Sequence, residues 1–258
     1  MGLSSAELTA LFGQVLWPLF RCGSALWLMP AFGGRGVPRH ARLALACSLA
    51  WLISGQIPPL EPVEPLSIEA LMLTLEQIVI GLTFAMIMQL LFTVFTLAGQ
   101  MMSMQMGLAM AVMNDPQRGP GVPLIGRWLE IFTLMVFLAM DGHLVVIHVL
   151  AESFYSMPIG SGINTQDFID LVLMGQWLFT GALLVSLPAV FSMLMVNFCF
   201  GVMSRAASQL NIFALGFPMT MIFGMLTLLL VMASLPDVFL NMTEEALLIL
   251  KSYAGQGS

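Results

Sequence analysis

Charge is what this 258-residue sequence has least of: Asp, Glu, Lys and Arg make up 9% of it, against about 25% in soluble domains. So few polar groups cannot cover a globule in water, and the scarcity is concentrated. No charged residue occurs in 77–114, 171–204 or 206–236, and each run is longer than the ~20 residues that cross a hydrocarbon core as a helix. Cations are scarcer than anions, 8 against 14, for a net charge of −6. That balance excludes the basic face a nucleic-acid binder needs. The three cysteines, Cys22, Cys47 and Cys199, lie far apart in apolar segments and read as small buried hydrophobes rather than disulfides or metal ligands. Period-two alternation is missing from the long apolar runs, which excludes a transmembrane barrel. Catalytic signatures are missing as well. "GGRG" (33–36) lacks the Gly-Lys-Ser/Thr ending of a phosphate loop, and no GxSxG elbow occurs. His40, His143 and His148 have no ligand spacing with cysteines. The sequence therefore predicts no enzyme, no cofactor and no metal. No two glycines stand four apart, so the GxxxG helix-pairing signal is absent, and no repeated halves of the kind common in transporters are visible.

What is present is an all-α membrane protein, read as one domain over 1–258. Six apolar segments fall at roughly 8–32, 40–58, 71–104, 124–151, 171–203 and 211–236, and an amphipathic tail, "DVFLNMTEEALLILKSY", follows the last. The opening segment carries Glu7 and no basic lead, so it is expected to be retained rather than cleaved. Arg35, Arg39 and Arg42 lie in the first connector, Arg118 and Arg127 around the third, and Arg205 in the fifth. The even connectors carry acids: Glu61, Glu64 and Glu69, then Glu152, Asp167 and Asp170. The positive-inside rule places the odd connectors in the cytoplasm and the N-terminus outside.

Some ionisable groups sit within the apolar segments: Arg21, Glu76, Glu130, Asp141 and His143 flanking Gly142, and His148. Charges at membrane depth are costly and normally face protein or a water-filled path. Two readings stay open for them. One is a proton or ion relay, in which Glu76, Glu130 and Asp141 would serve proton-coupled transport of a small solute. The other is placement at helix ends and subunit contacts, with Arg127 and Glu130 pairing three apart on one helix face and Asp141-Gly142-His143 marking a helix break.

The stretch "GQMMSMQMGLAMAVMNDPQRGPGVP" (99–123) packs Met101, Met102, Met104, Met106, Met110 and Met113 into thirteen residues. Thioether side chains are unbranched and adapt to irregular surroundings. On composition alone this is the end of a membrane helix. Gly107 is read as loosening the run, Asn114-Asp115-Pro116 as a turn, and "RGPGVP" cannot hold a helix. A soft apolar stretch backed by such a loop suits a movable seal, since apolar constrictions gate by excluding water.

The order "DPQRGPGVPLIGRWLEIFTLMVFLAMDGHL", "MPIG" (157–160) and "SRAASQLNIFALGFPMT" (204–220) resembles the FliR family of flagellar type III export-gate subunits, over nearly the whole chain. One departure is Ser208, where the family commonly has proline before Gln-Leu-Asn. The resemblance implies an inner-membrane subunit of the flagellar basal body, assembled helically with FliP and FliQ subunits and with FlhB at the cytoplasmic mouth. That assembly passes unfolded export substrates. It implies a plug loop at 106–122, with Met106, Gly107, Met110, Met113, Asn114, Asp115 and Pro116 at the gate. It further implies a FliQ-like helical hairpin within 171–236, with Arg205, Gln209, Asn211, Phe217 and Pro218 at subunit contacts.

Overall fold

The computed structural model describes residues 5–34, 36–59, 63–64, 67–108, 123–162, 165–206 and 212–255. Among them the chain is helical and carries no strand. The helices are α1 (Ser5–Leu28), α2 (Pro30–Gly33), α3 (Arg39–Ser54), α4 (Ile68–Gln105), α5 (Leu124–Ala139), α6 (Gly142–Ser156), α7 (Thr165–Ala206), α8 (Ile212–Met232) and α9 (Leu235–Gly255). Residues 1–90, 137–174 and 245–258 form one compact unit, and 91–136 with 175–244 form another.

Two helices, in the ranges Ile68–Gln105 and Ile169–Met203, are each long and apolar enough to span a membrane. Leu124–Ala139 with Gly142–Ser156, and Pro218–Met232 with Leu235–Tyr253, pass the same test only as bent pairs. The described residues thus give two spans, or up to four if each bent pair counts as one, where hydropathy alone divided the chain into six segments. The long helices are apolar on every side, so no water-facing stripe interrupts them. They differ in their surroundings. The apolar window of α4 is 61% buried within the chain and that of α7 only 22%. Phe179, Leu183, Leu184, Leu187, Phe191 and Phe198 of α7 are all exposed. Lipid or another chain has to cover that face.

In the first unit α3 packs against α1. Gln14 Nε2 donates to the Ser54 carbonyl at 3.0 Å, tying α1 to the C-terminal end of α3. A side chain on Gly81 would collide with the Arg21 carbonyl and Ser24, so α4 crosses α1 at closest approach there. In the second unit, Gly99 of α4 meets Gly126 of α5 backbone to backbone. A single glycine on each helix does the work that GxxxG performs elsewhere, which is why a search for paired glycines finds nothing. Phe92 and Phe95 close edge-on around Phe239, with ring centroids 5.9 and 5.2 Å apart.

The amphipathic tail is α9. Leu235, Phe239, Met242, Thr243, Ala246, Leu250 and Tyr253 are buried at helical spacing, and Glu244, Glu245 and Lys251 lie on its exposed side. Of the cysteines, Cys22 is buried as expected, whereas Cys47 and Cys199 are exposed. Both face outward on apolar helices, a position that hydropathy cannot distinguish from a core one.

Candidate functional site

Two sites emerge, one at the Met-rich end of α4 and one around Arg21. At the first, α4 does not fade out but is closed by a glycine cap. The Gly107 amide donates to the Met104 carbonyl at 3.1 Å, and the Leu108 amide to the Ser103 carbonyl at 3.0 Å. Gly107 adopts φ +74°. This is the Schellman pattern, with the left-handed residue just beyond the helix, where glycine avoids a Cβ clash. Gly107 therefore terminates the helix rather than loosening it. Met106 is buried, and its side chain fills the space that a Cβ on Gly224 of α8 would occupy. Met102 is buried too, while Met104 is exposed. The Ser186 hydroxyl of α7 lies 3.4 Å from the Met101 sulfur. Met101, Met104, Leu187 and Phe191 are among the residues lining an apolar groove of about 420 Å³. Of the four described methionines in this run, Met102 and Met106 are thus core and Met101 and Met104 line a groove. Met110, Met113, Asn114, Asp115 and Pro116 lie outside the described residues, as do Gln209 and Asn211 and the side chain of Phe217. Arg205 and Pro218 are exposed near the ends of α7 and α8 that flank that segment.

The second site lies in the first unit and is a polar centre inside an apolar body. Arg21 of α1 is completely buried. Its Nε donates to Gln77 Oε1 of α4 at 2.7 Å, and its Nη1 to the Ser153 carbonyl at 3.0 Å and the Ser153 hydroxyl at 3.2 Å. Nη2 donates to the Met157 carbonyl at 2.9 Å. The guanidinium also lies 4.0 Å from the centre of the Phe154 ring. Arg21 therefore caps the C-terminal end of α6, where the helix dipole favours a cation; the Ser153 carbonyl also receives the Met157 amide at 2.9 Å, and the Met157 carbonyl lies just beyond the helix. Beside it, Glu76 Oε1 accepts from the Gly160 amide at 3.1 Å and from Gln77 Nε2 at 3.4 Å. Together the two side chains fix "MPIG", the 157–160 stretch that follows α6.

The other ionisable residues of the apolar segments are placed as follows. Arg127 and Glu130 form an ion pair at 2.9 Å on the exposed side of α5, as their spacing predicts. Asp141-Gly142-His143 is a helix break, the second of the two readings open for it. Asp141 takes φ +56° between α5 and α6, a left-handed conformation that Asp tolerates better than most residues. Gly142 follows because the Phe137 ring occupies the position of a Cβ. Asp141 and His148 are exposed, and His143 Nδ1 is buried with no partner among the described residues. Hydropathy singles out Arg21 as a charge in an apolar run. Its partners Gln77 and Ser153, 56 and 132 residues away in sequence, give no signal of their own.

Long apolar helices, a buried arginine that uses only internal acceptors, and single-glycine crossings define an all-helical membrane protein. Residues 12–246 match the sequence model of the family described as Bacterial export proteins, family 1, and the chain belongs to that family. Among similar proteins, the flagellar biosynthetic protein FliR of Pectobacterium carotovorum subsp. carotovorum is 34% identical over 90% of this chain and 89% of its own length. That of Escherichia coli (strain K12) is 34% identical over 81% of this chain and 80% of its own. The Bacillus subtilis (strain 168) protein of the same name is 26% identical over 86% and 87%.

Proposed function

We propose that this protein is a structural and gating subunit of the flagellar type III export channel in the bacterial inner membrane, acting with FliP, FliQ and FlhB subunits on unfolded flagellar substrates. In this reading the 106–122 segment plugs the closed channel. The 171–236 region is the FliQ-like hairpin, and Arg205, Gln209, Asn211, Phe217 and Pro218 meet neighbouring subunits. The relatives' name and the family match support the flagellar export assignment. The observation that carries the gating reading is the closure of α4 at Gly107, with Met106 seated on Gly224. The helix therefore ends on a fixed anchor of its own. Energy for transport comes from elsewhere in the apparatus. The exposed apolar face of α7 fits a chain that finds part of its cover in other subunits.

The test is co-expression with FliP and FliQ subunits, the intact mass of the complex, and ion conductance in planar bilayers. Deleting 110–116 should leave the mass of the assembly unchanged, apart from the missing residues, and raise its conductance. Unchanged conductance refutes the plug, whereas purification as a self-sufficient homo-oligomer that carries a solute refutes the subunit assignment and favours the proton-coupled transporter.

A further inference from the structure

We propose that the α2–α3 corner seats the headgroup of an anionic phospholipid, a function that does not depend on the export reading. No Asp or Glu occurs in the sequence between Glu7 and Glu61, yet Arg21, Arg35, Arg39 and Arg42 all fall there. Arg21 is used internally, on carbonyls and Gln77. Arg39 and Arg42, with His40 between them, stand in the opening residues of α3. Cations in the first turn of a helix oppose its dipole, and α3 has neither an acidic residue in that turn nor a side-chain cap. Among the described residues, no carboxylate pairs with Arg39 or Arg42. Arg39 and His40 are exposed.

Arg42 is held in place. Its Nη2 donates to the Gly34 carbonyl at 3.3 Å, and its guanidinium stands 5.4 Å from the Trp27 ring centre. Its Nε is buried without a partner among the described residues. Trp27 itself is 62% exposed and Leu43 60%. A fixed guanidinium over an exposed indole, at the end of an apolar helix and beside an exposed leucine, has the composition of a membrane–water boundary. The counter-charge missing among the described residues matches the anionic headgroups of the cytoplasmic leaflet, the side to which the positive-inside rule assigns this connector. Trp27 and Leu43 would meet the glycerol and upper acyl region of the same lipid, which a free phosphate does not offer.

The experiment follows thermal unfolding of the full chain in its native assembly, purified in neutral detergent and titrated with phosphatidylglycerol or phosphatidylcholine. Phosphatidylglycerol should raise the unfolding midpoint at a lower lipid fraction than phosphatidylcholine does, and the difference should shrink in 0.5 M NaCl. Each cation near an anionic surface contributes about a five-fold change in affinity. Arg39→Gln should therefore raise the half-saturating lipid fraction about five-fold, and the Arg39→Gln/Arg42→Gln pair roughly thirty-fold, while Arg39→Lys stays near the unchanged protein. Arg39 makes no described contact, so the single variant remains informative if the pair fails to assemble. Equal response to the two lipids, or full retention of the effect in Arg39→Gln, overturns the proposal. Reproduction of the shift by inorganic phosphate would make the occupant a free anion, and reproduction by poly-glutamate would make it an acidic protein. Either result refutes the lipid.

Discussion

Replacing Arg21 by methionine keeps length and flexibility but removes every hydrogen bond the guanidinium makes. Of its acceptors, the Ser153 carbonyl still receives the Met157 amide at 2.9 Å, and the Ser153 hydroxyl can still donate to the Leu150 carbonyl at 2.6 Å. Gln77 Oε1 and the Met157 carbonyl lose the bonds of 2.7 and 2.9 Å that Arg21 supplies. A buried acceptor left unpaired costs about 1–3 kcal/mol, so two cost about 2–6 kcal/mol. Relief from burying the cation offsets part of this, since an uncompensated buried charge is itself expensive. We therefore expect a net loss of about 3 kcal/mol for Arg21→Met. At about 2–4 °C of melting temperature per kcal/mol for a chain of this size, that is a drop of roughly 6–12 °C. Gln77→Leu removes one acceptor from Nε and should cost less, about 1.5–3 kcal/mol. Combined with Arg21→Met it should add less than its own single effect, because the orphaned Oε1 is gone. The assay is thermal unfolding of the detergent-solubilised protein by circular dichroism, with both single variants and the double. If Arg21→Met melts within 1 °C of the unchanged protein, or if the two substitutions add fully, the clamp does not hold these helices together.

Gly107→Ala forces a Cβ into the left-handed position that closes α4 and should destabilise by about 1–2 kcal/mol; thermal unfolding that leaves the melting point unchanged would dismiss the cap. Gly99→Val should prevent α4 and α5 from meeting at Gly126, and is expected to abolish folded protein in the membrane fraction, as read by protease resistance. Gly224→Leu should evict Met106 from its seat and raise channel conductance as the 110–116 deletion does, whereas a tight channel would separate the seat from the gate. Asp141→Asn should be nearly silent and Asp141→Val costly by about 1–2 kcal/mol, because a β-branched residue resists φ +56°.

Composition alone determined the solvent and the secondary structure. Uncharged runs longer than a bilayer is thick admit helices and little else, since backbone groups in lipid have to be satisfied within the segment. Local spacing was enough for the Arg127–Glu130 pair and the amphipathic face of α9, because each depends on residues within a few turns, whereas it offered the break at Asp141-Gly142 only as one of two readings. The resemblance in "QLNIFALGFP" and "DGHL" pointed to the family. Three things needed the tertiary structure. Hydropathy saw Gly107 as a loosening residue, but whether a glycine weakens a helix or caps it depends on which carbonyls its neighbours reach. The close helix crossings rest on Gly81, Gly99 and Gly126, isolated glycines whose partners belong to other helices. Arg21 stood out in sequence as a charge in an apolar run, yet its acceptors are carbonyls and an amide brought from α4 and α6. A backbone carbonyl carries no sequence signature, so only the packing of distant helices could decide that this buried cation is satisfied.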